Sequence, residues 1–289
     1  MAITLQGGCR VSEMRAGEPL IEGTLRIWNR IGRATGAKAI SLRVLEFAPG
    51  LSPGIRNDDC DEILYVLDDC DPGGVGDSSQ GQARSAPPLD QGPLDDPHPE
   101  GVRRSSHVAQ ILINGHSHQL SPDTGIYVRP GETFTVNNPG PRSIVMVSSR
   151  CPDPDCESRF VAALTSPISD SCEQSPLVRL SERPPQTTSD RWYRVMVDDE
   201  MGSTNATQFV GSIPPGRAPD HFHHYEEVLF ILRGEGRMWA GETNTTIAPG
   251  SCIYLSKGQV HCVENTGTDE LRLLGVFYPA GSPSVRYDV

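Results

Sequence analysis

Short apolar and β-branched runs, broken by Gly, Pro and Asn turns, recur along the whole chain. One run extends from about Lys38 to Phe47, stops at Ala48-Pro49-Gly50 and resumes in Glu62–Leu67. Further runs at His107–Ile113, Gly125–Val128 and Ile144–Val147 are set off by Asn-Gly, Pro-Gly and Asn-Asn-Pro-Gly turns. A second series follows at Trp192–Val197, Thr207–Ile213, Glu227–Leu232, Gly236–Ala240, Cys252–Leu255 and Leu271–Phe277. Runs this short and this closely spaced predict an all-β fold of sandwiches or barrels.

The second series repeats the first. Pro215-Gly216 followed by Glu227-Val228-Leu229-Phe230-Ile231-Leu232 mirrors Pro49-Gly50 followed by Glu62-Ile63-Leu64-Tyr65-Val66-Leu67. Likewise Lys257-Gly258 and Asn265-Thr266-Gly267 mirror Pro130-Gly131 and Asn138-Pro139-Gly140. Duplication predicts two domains, 1–150 and 191–289, joined by a polar linker over 151–190 with one short helical candidate, Glu157–Leu164. Inside the first domain, residues 71–106 turn to Pro, Gly, Ser and Asp. That composition cannot bury enough surface to offset ordering entropy, so an insertion without fixed structure is expected there.

Composition narrows the classes. With 289 residues, 29 Gly, 25 Pro and 6% aromatics, the chain suits many turns better than long helices. A net charge of -12 without a Lys/Arg cluster argues against nucleic acid and anionic membranes as partners. No apolar run reaches membrane-spanning length and the first residues lack a secretory pattern, which leads us to expect a cytoplasmic protein. The eight cysteines are then expected as free thiols, and Cys151, Cys156 and Cys172 lack the pairing a zinc site requires.

Candidate chemistry gathers in the second half. Extended backbone would place His221, His223, Tyr225 and Glu227 on one face, and Phe222, His224 and Glu226 on the other. Two imidazoles and a carboxylate on one side suit a divalent transition ion, and His261 can complete the set from a later strand. Gly-His-Ser-His at 115–118 follows a turn without an accompanying carboxylate and is expected to be a solvated hairpin tip.

Gly216, His221, His223, Glu227 and Gly234, followed by Gly250, Gly258, His261 and Asn265, resemble the two signature segments of the cupin superfamily. One residue fewer follows the first Gly than usual, and Ser256 stands where Pro is common. The resemblance, to a two-domain (bicupin) protein, implies two double-stranded β-helix (jelly-roll) domains. It also implies one divalent metal held by His221, His223, Glu227 and His261, iron(II) first, with manganese, nickel, cobalt or zinc as alternatives.

The first half departs from that pattern. One alignment puts Arg56 and Asp58 at the histidine positions, another Ile55 and Asn57, and Phe134 replaces the last histidine. Neither restores a metal site, and Arg56 is a candidate to set a guanidinium beside Glu62.

For function, the resemblance selects no single reaction, and the ligand set of three imidazoles and a carboxylate leads us to expect a dioxygenase acting on a small metal-chelating organic substrate. A Lewis-acid isomerase, lyase or hydrolase, and a non-catalytic binding protein, stand beside it as alternatives. Tyr225 is the candidate proton donor at the site, a thiol role for Cys262 is a minor option, and homodimerisation is open. The strand Val228–Leu232 is apolar on both faces, so a second barrel must cover its outer side.

Overall fold

A computed structural model describes residues 2–68, 108–167, 175–188, 190–285 and 287–288. The expected insertion at 71–106 and Cys172 lie outside them. The described residues form β-structure with four short 3-10 turns as their helical elements. Among the described residues, no helix is long and apolar enough to cross a membrane.

Each half is a pair of facing antiparallel sheets. In the first, a seven-stranded sheet runs Leu177–Arg179, Thr124–Val128, Asp61–Val66, Ile144–Cys151, Leu42–Phe47, Leu25–Ile31 and Leu20–Glu22. It faces a smaller sheet of His116–Gln119, Gln110–Ile113, Thr133–Asn138, Gly54–Arg56 and Arg159–Val161. The second half repeats this with Glu226–Arg233 central in the larger sheet and His261–Asn265 central in the smaller.

Alternation along the central strands explains three cores. Leu64 and Val66 point into the first barrel, and Leu229 and Ile231 into the second. Their neighbours Ile63, Tyr65, Val228 and Phe230 meet in a core shared by both halves. The second barrel demanded by an apolar outer face is therefore the other half of the same chain. Fully burying such a side chain contributes about 1.5–3 kcal/mol, which makes this seam a large part of the stability.

The division at 151–190 is not how the strands are distributed. Arg10–Glu13, ahead of the first barrel, pairs with Ser251–Leu255 of the second, and Leu177–Arg179, ahead of the second barrel, pairs with Thr124–Val128 of the first. Each barrel thus lends its leading strand to its neighbour. Arg159–Val161 is a strand where a helix was expected, paired with Gly54–Arg56. These strands are three or four residues long and only partly buried, so they carry almost no hydrophobic period to read.

Candidate metal centre

His221 and His223 leave the small sheet of the second barrel just before the chain enters the large sheet at Glu226, so simple strand alternation does not hold from 221 to 227. The chain instead crosses from one sheet to the other through residues 223–225. The crossing keeps the side chains of His221, His223 and Glu227 on the barrel interior, where the pairing of His221 with His261 adds the third imidazole.

One nitrogen from each of His221, His223 and His261 lies within 4.8 Å of the others. Glu227 Oε2 lies 3.5 Å from His261 Nε2 and 3.8 Å from His223 Nε2. His261 Nδ1 is 2.8 Å from the Gln259 carbonyl and His221 Nδ1 is 3.1 Å from the Pro219 carbonyl. With Nδ1–H donating to each carbonyl, Nε2 is left as the lone-pair nitrogen that a metal takes.

The electrostatics point the same way. Burial, aided by His221, pushes His223 down to about 4 and His261 down to about 3, so both are neutral donors at neutral pH. Burial pushes Glu227 up to about 8, and its Oε2 accepts no hydrogen bond. A buried carboxylate without a cation beside neutral imidazoles is a costly arrangement, and a divalent ion relieves it. The residues present fit such an ion.

These groups end a cavity of about 150 Å³, roughly the volume that accepts a benzene-sized ligand. Its walls are mixed, with Phe209, Leu229, Val263, Leu273 and Phe277 on the apolar side and Thr188, Asp190, Ser212 and Arg191, the one Lys or Arg side chain of the lining, on the polar side.

Tyr225 does not reach this cavity. Its ring stacks on His223 at 4.8 Å and 10°, and its hydroxyl donates to the Ser282 carbonyl at 3.2 Å. It supports the imidazole rather than facing a ligand. Cys262 also turns away: its sulfur accepts from Arg217 Nε at 3.2 Å, and burial pushes the thiol up to about 11, which leaves no nucleophile at neutral pH. His224 lies outside, exposed against Tyr287. His116 and His118 are not a solvated tip. They are half-buried opposite Ile113 and Ile111, with Asn114 and Gly115 making the turn, and both Nε2 atoms are buried without a partner among the described residues.

The first barrel resolves its own alignment. Phe134 pairs with Ile55 as His261 pairs with His221, so Ile55 and Asn57 occupy the histidine positions. Arg56 binds Asp58 and the Gly131 carbonyl instead of Glu62. The guanidinium beside Glu62 belongs to Arg43, a residue the sequence reading missed. Ser148 donates to the same carboxylate at 2.6 Å, and Asn57 donates to its other oxygen. The pairings Arg150–Glu62 and Ser148–Arg43 answer to Phe277–Glu227 and Gly275–Phe209, which puts Arg43 where the second barrel has the cavity wall Phe209. A permanent cation thus fills the place of cavity and metal together.

Residues 209–277 match the cupin domain family model. An oxalate-binding protein of Thermotoga maritima is 35% identical over 66 residues, 22% of this chain, and the match spans about half of that relative (54%). Among solved structures, a glyoxylate-induced protein from Pseudomonas aeruginosa superposes with a TM-score of 0.66 at 13% identity, covering 98% of this chain and 93% of that one. A Bacillus subtilis oxalate decarboxylase variant gives 0.66 at 11% identity, covering 94% and 78%. At these identities the superpositions speak for the fold. Residues 209–277 thus carry a cupin domain, and the first barrel repeats its facing-sheet architecture, giving the two-barrel fold.

Proposed function

We propose that this chain is a bicupin and a mononuclear metal enzyme, most consistent with an iron(II) dioxygenase, acting on a small organic acid that chelates the metal through two oxygens. The observation that carries the reading is the convergence of three imidazoles and the Glu227 carboxylate in the lining of one small cavity. A bound divalent ion held by His221, His223, Glu227 and His261 supplies Lewis acidity and open positions for a chelating ligand and, as iron, redox chemistry with dioxygen.

The chain's own residues fit the rest. Arg191 contributes positive charge to the lining, offset by Asp190, which lines the cavity beside it with Oδ1 3.7 Å from Arg191 Nε. The apolar part of the wall, Phe209, Leu229, Val263, Leu273 and Phe277, suits dioxygen, itself an apolar solute. The lining hydroxyls of Tyr193 and Ser212 already donate to Gln186 and Glu270 and Tyr225 faces backbone carbonyls, whereas the Asp190 carboxylate and the Thr188 hydroxyl also line the cavity, so a lyase or isomerase route stands beside the dioxygenase.

The oxalate-binding relative, matched over a stretch of this chain, favours a second reading: reversible binding of a small dicarboxylate without turnover. The test is anaerobic loading with iron(II), followed by an oxygen-electrode survey of 2-oxo, 2-hydroxy and dicarboxylic acids. Oxygen uptake stoichiometric with loss of one acid supports the dioxygenase. Turnover without oxygen uptake replaces it with a Lewis-acid enzyme, and saturable binding without turnover with a binding protein.

A further inference from the structure

The geometry points to a second ligand site, in the cleft between the two barrels, for a small molecule carrying two or more anionic groups on an apolar body. The cleft encloses about 670 Å³ and draws its walls from both halves. Cavities at domain seams with apolar floors and a few convergent polar groups are where small molecules bind. Leu67 and Val145 from the first barrel, with Phe230 and Leu232 from the second, supply the apolar surface.

Four guanidinium groups surround that surface: Arg15, Arg142, Arg233 and Arg272. Such a concentration runs against a chain whose net charge is -12. Three carboxylates also line the cleft, Glu46, Asp68 and Asp123, so their existing commitments decide the balance. Glu46 is held at 3.0 Å by both Arg15 and Arg26. Asp68 is engaged as well, Asp123 accepts the Tyr65 hydroxyl at 2.7 Å while keeping its charge, and Arg272 is paired with Glu270. Arg142 and Arg233, one from each barrel, have no carboxylate partner among the described residues and are exposed at the cleft. Planar guanidinium forks on two sides of an apolar floor match anionic groups at separate ends of a rigid ligand.

This site is distinct from the metal centre. Glu227 and Arg233 are six residues apart on one extended strand, about 20 Å at a strand's rise per residue. The cleft needs no metal, and its ligand need not be the substrate.

Isothermal titration of the full chain with naphthalene-1,5-disulfonate tests the assignment, because sulfonates bind guanidinium groups yet chelate metals poorly. Saturable one-to-one binding is expected, weakened at least about tenfold in the Arg142→Gln/Arg233→Gln double variant and unchanged in His261→Ala. Neutral naphthalene-1,5-diol should give no comparable heat. Absence of saturable disulfonate binding overturns the assignment, as does binding that survives the double variant or is lost in His261→Ala. Both arginines are exposed, so loss of fold in the double variant is not expected, and its thermal midpoint serves as the control.

Discussion

Glu226 and Glu227 are consecutive on one strand, yet their carboxylates serve different barrels. Glu227 turns inward to the three imidazoles. Glu226 turns outward, accepting the backbone N–H groups of Lys38 and Ala39 from the first barrel at 2.9 and 2.7 Å and the Tyr254 hydroxyl at 2.5 Å. The first barrel has the same device, in which Asp61 accepts the Tyr127 hydroxyl at 2.7 Å and Asn205 of the second barrel at 3.2 Å.

Substituting the two glutamates should therefore produce different failures. Glu227→Gln is expected to lower metal occupancy from about one ion per chain and to abolish turnover, because it removes the one anionic donor. Glu226→Gln should leave occupancy intact and cost stability, about 1–3 kcal/mol for a charge-assisted contact. Elemental analysis and urea unfolding read the two effects, and equal metal loss in both variants would show the face assignment to be wrong.

Arg43→Met should destabilise the first barrel by about 3–5 kcal/mol, because it strands the Glu62 carboxylate in a site where both partners are 1% exposed. Adding Glu62→Gln should recover most of the loss. A double variant as unstable as the single would mean that Arg43 acts by packing alone.

Gly275→Ala should narrow the cavity. A Cβ built there lies 2.2 Å from Phe209 Cε1, so the ring must move, at a cost of about 1–3 kcal/mol. Metal content should be unchanged while the apparent affinity for the chelating acid falls. Unchanged affinity would remove Phe209 from the ligand-contacting wall.

Metal uptake should depend on pH in one direction. With Glu227 at about 8 in the metal-free fold, the carboxyl holds a proton at pH 7 that the metal must displace. Affinity should rise about tenfold per pH unit up to about pH 8 and then level off. His223 at about 4 and His261 at about 3 release no proton in that range, and they oppose binding only in strong acid. Titration in buffers of different ionisation enthalpy measures the released proton; release near zero at pH 7 would contradict the burial argument.

The sequence made the fold and the gathering of three histidines legible because both depend on local pattern. Residues 207–213 and 236–240 form strands with the bounds expected from their apolar runs, and the Gly-bounded histidine segments marked the site. Arg43 and the exchanged strands were not legible. Arg43 sits amid an apolar run, and nothing local says that it meets Glu62, nineteen positions away, rather than solvent. Tyr225 was misread because alternation assumes one continuous strand, and the chain changes sheets between Phe222 and Glu226. The strand Leu25–Ile31 was passed over as well, since two arginines and an asparagine interrupt its apolar residues.

Reciprocal loan of the leading strands, Arg10–Glu13 to the second barrel and Leu177–Arg179 to the first, is the architecture of an arm-swapped dimer written into one polypeptide. Two identical subunits would be obliged to change together, each substitution appearing twice. Joined in a single chain, the partners are free to specialise: one keeps its imidazoles and its cavity, while the other trades them for an internal cation and becomes the permanent wall against which the first is built.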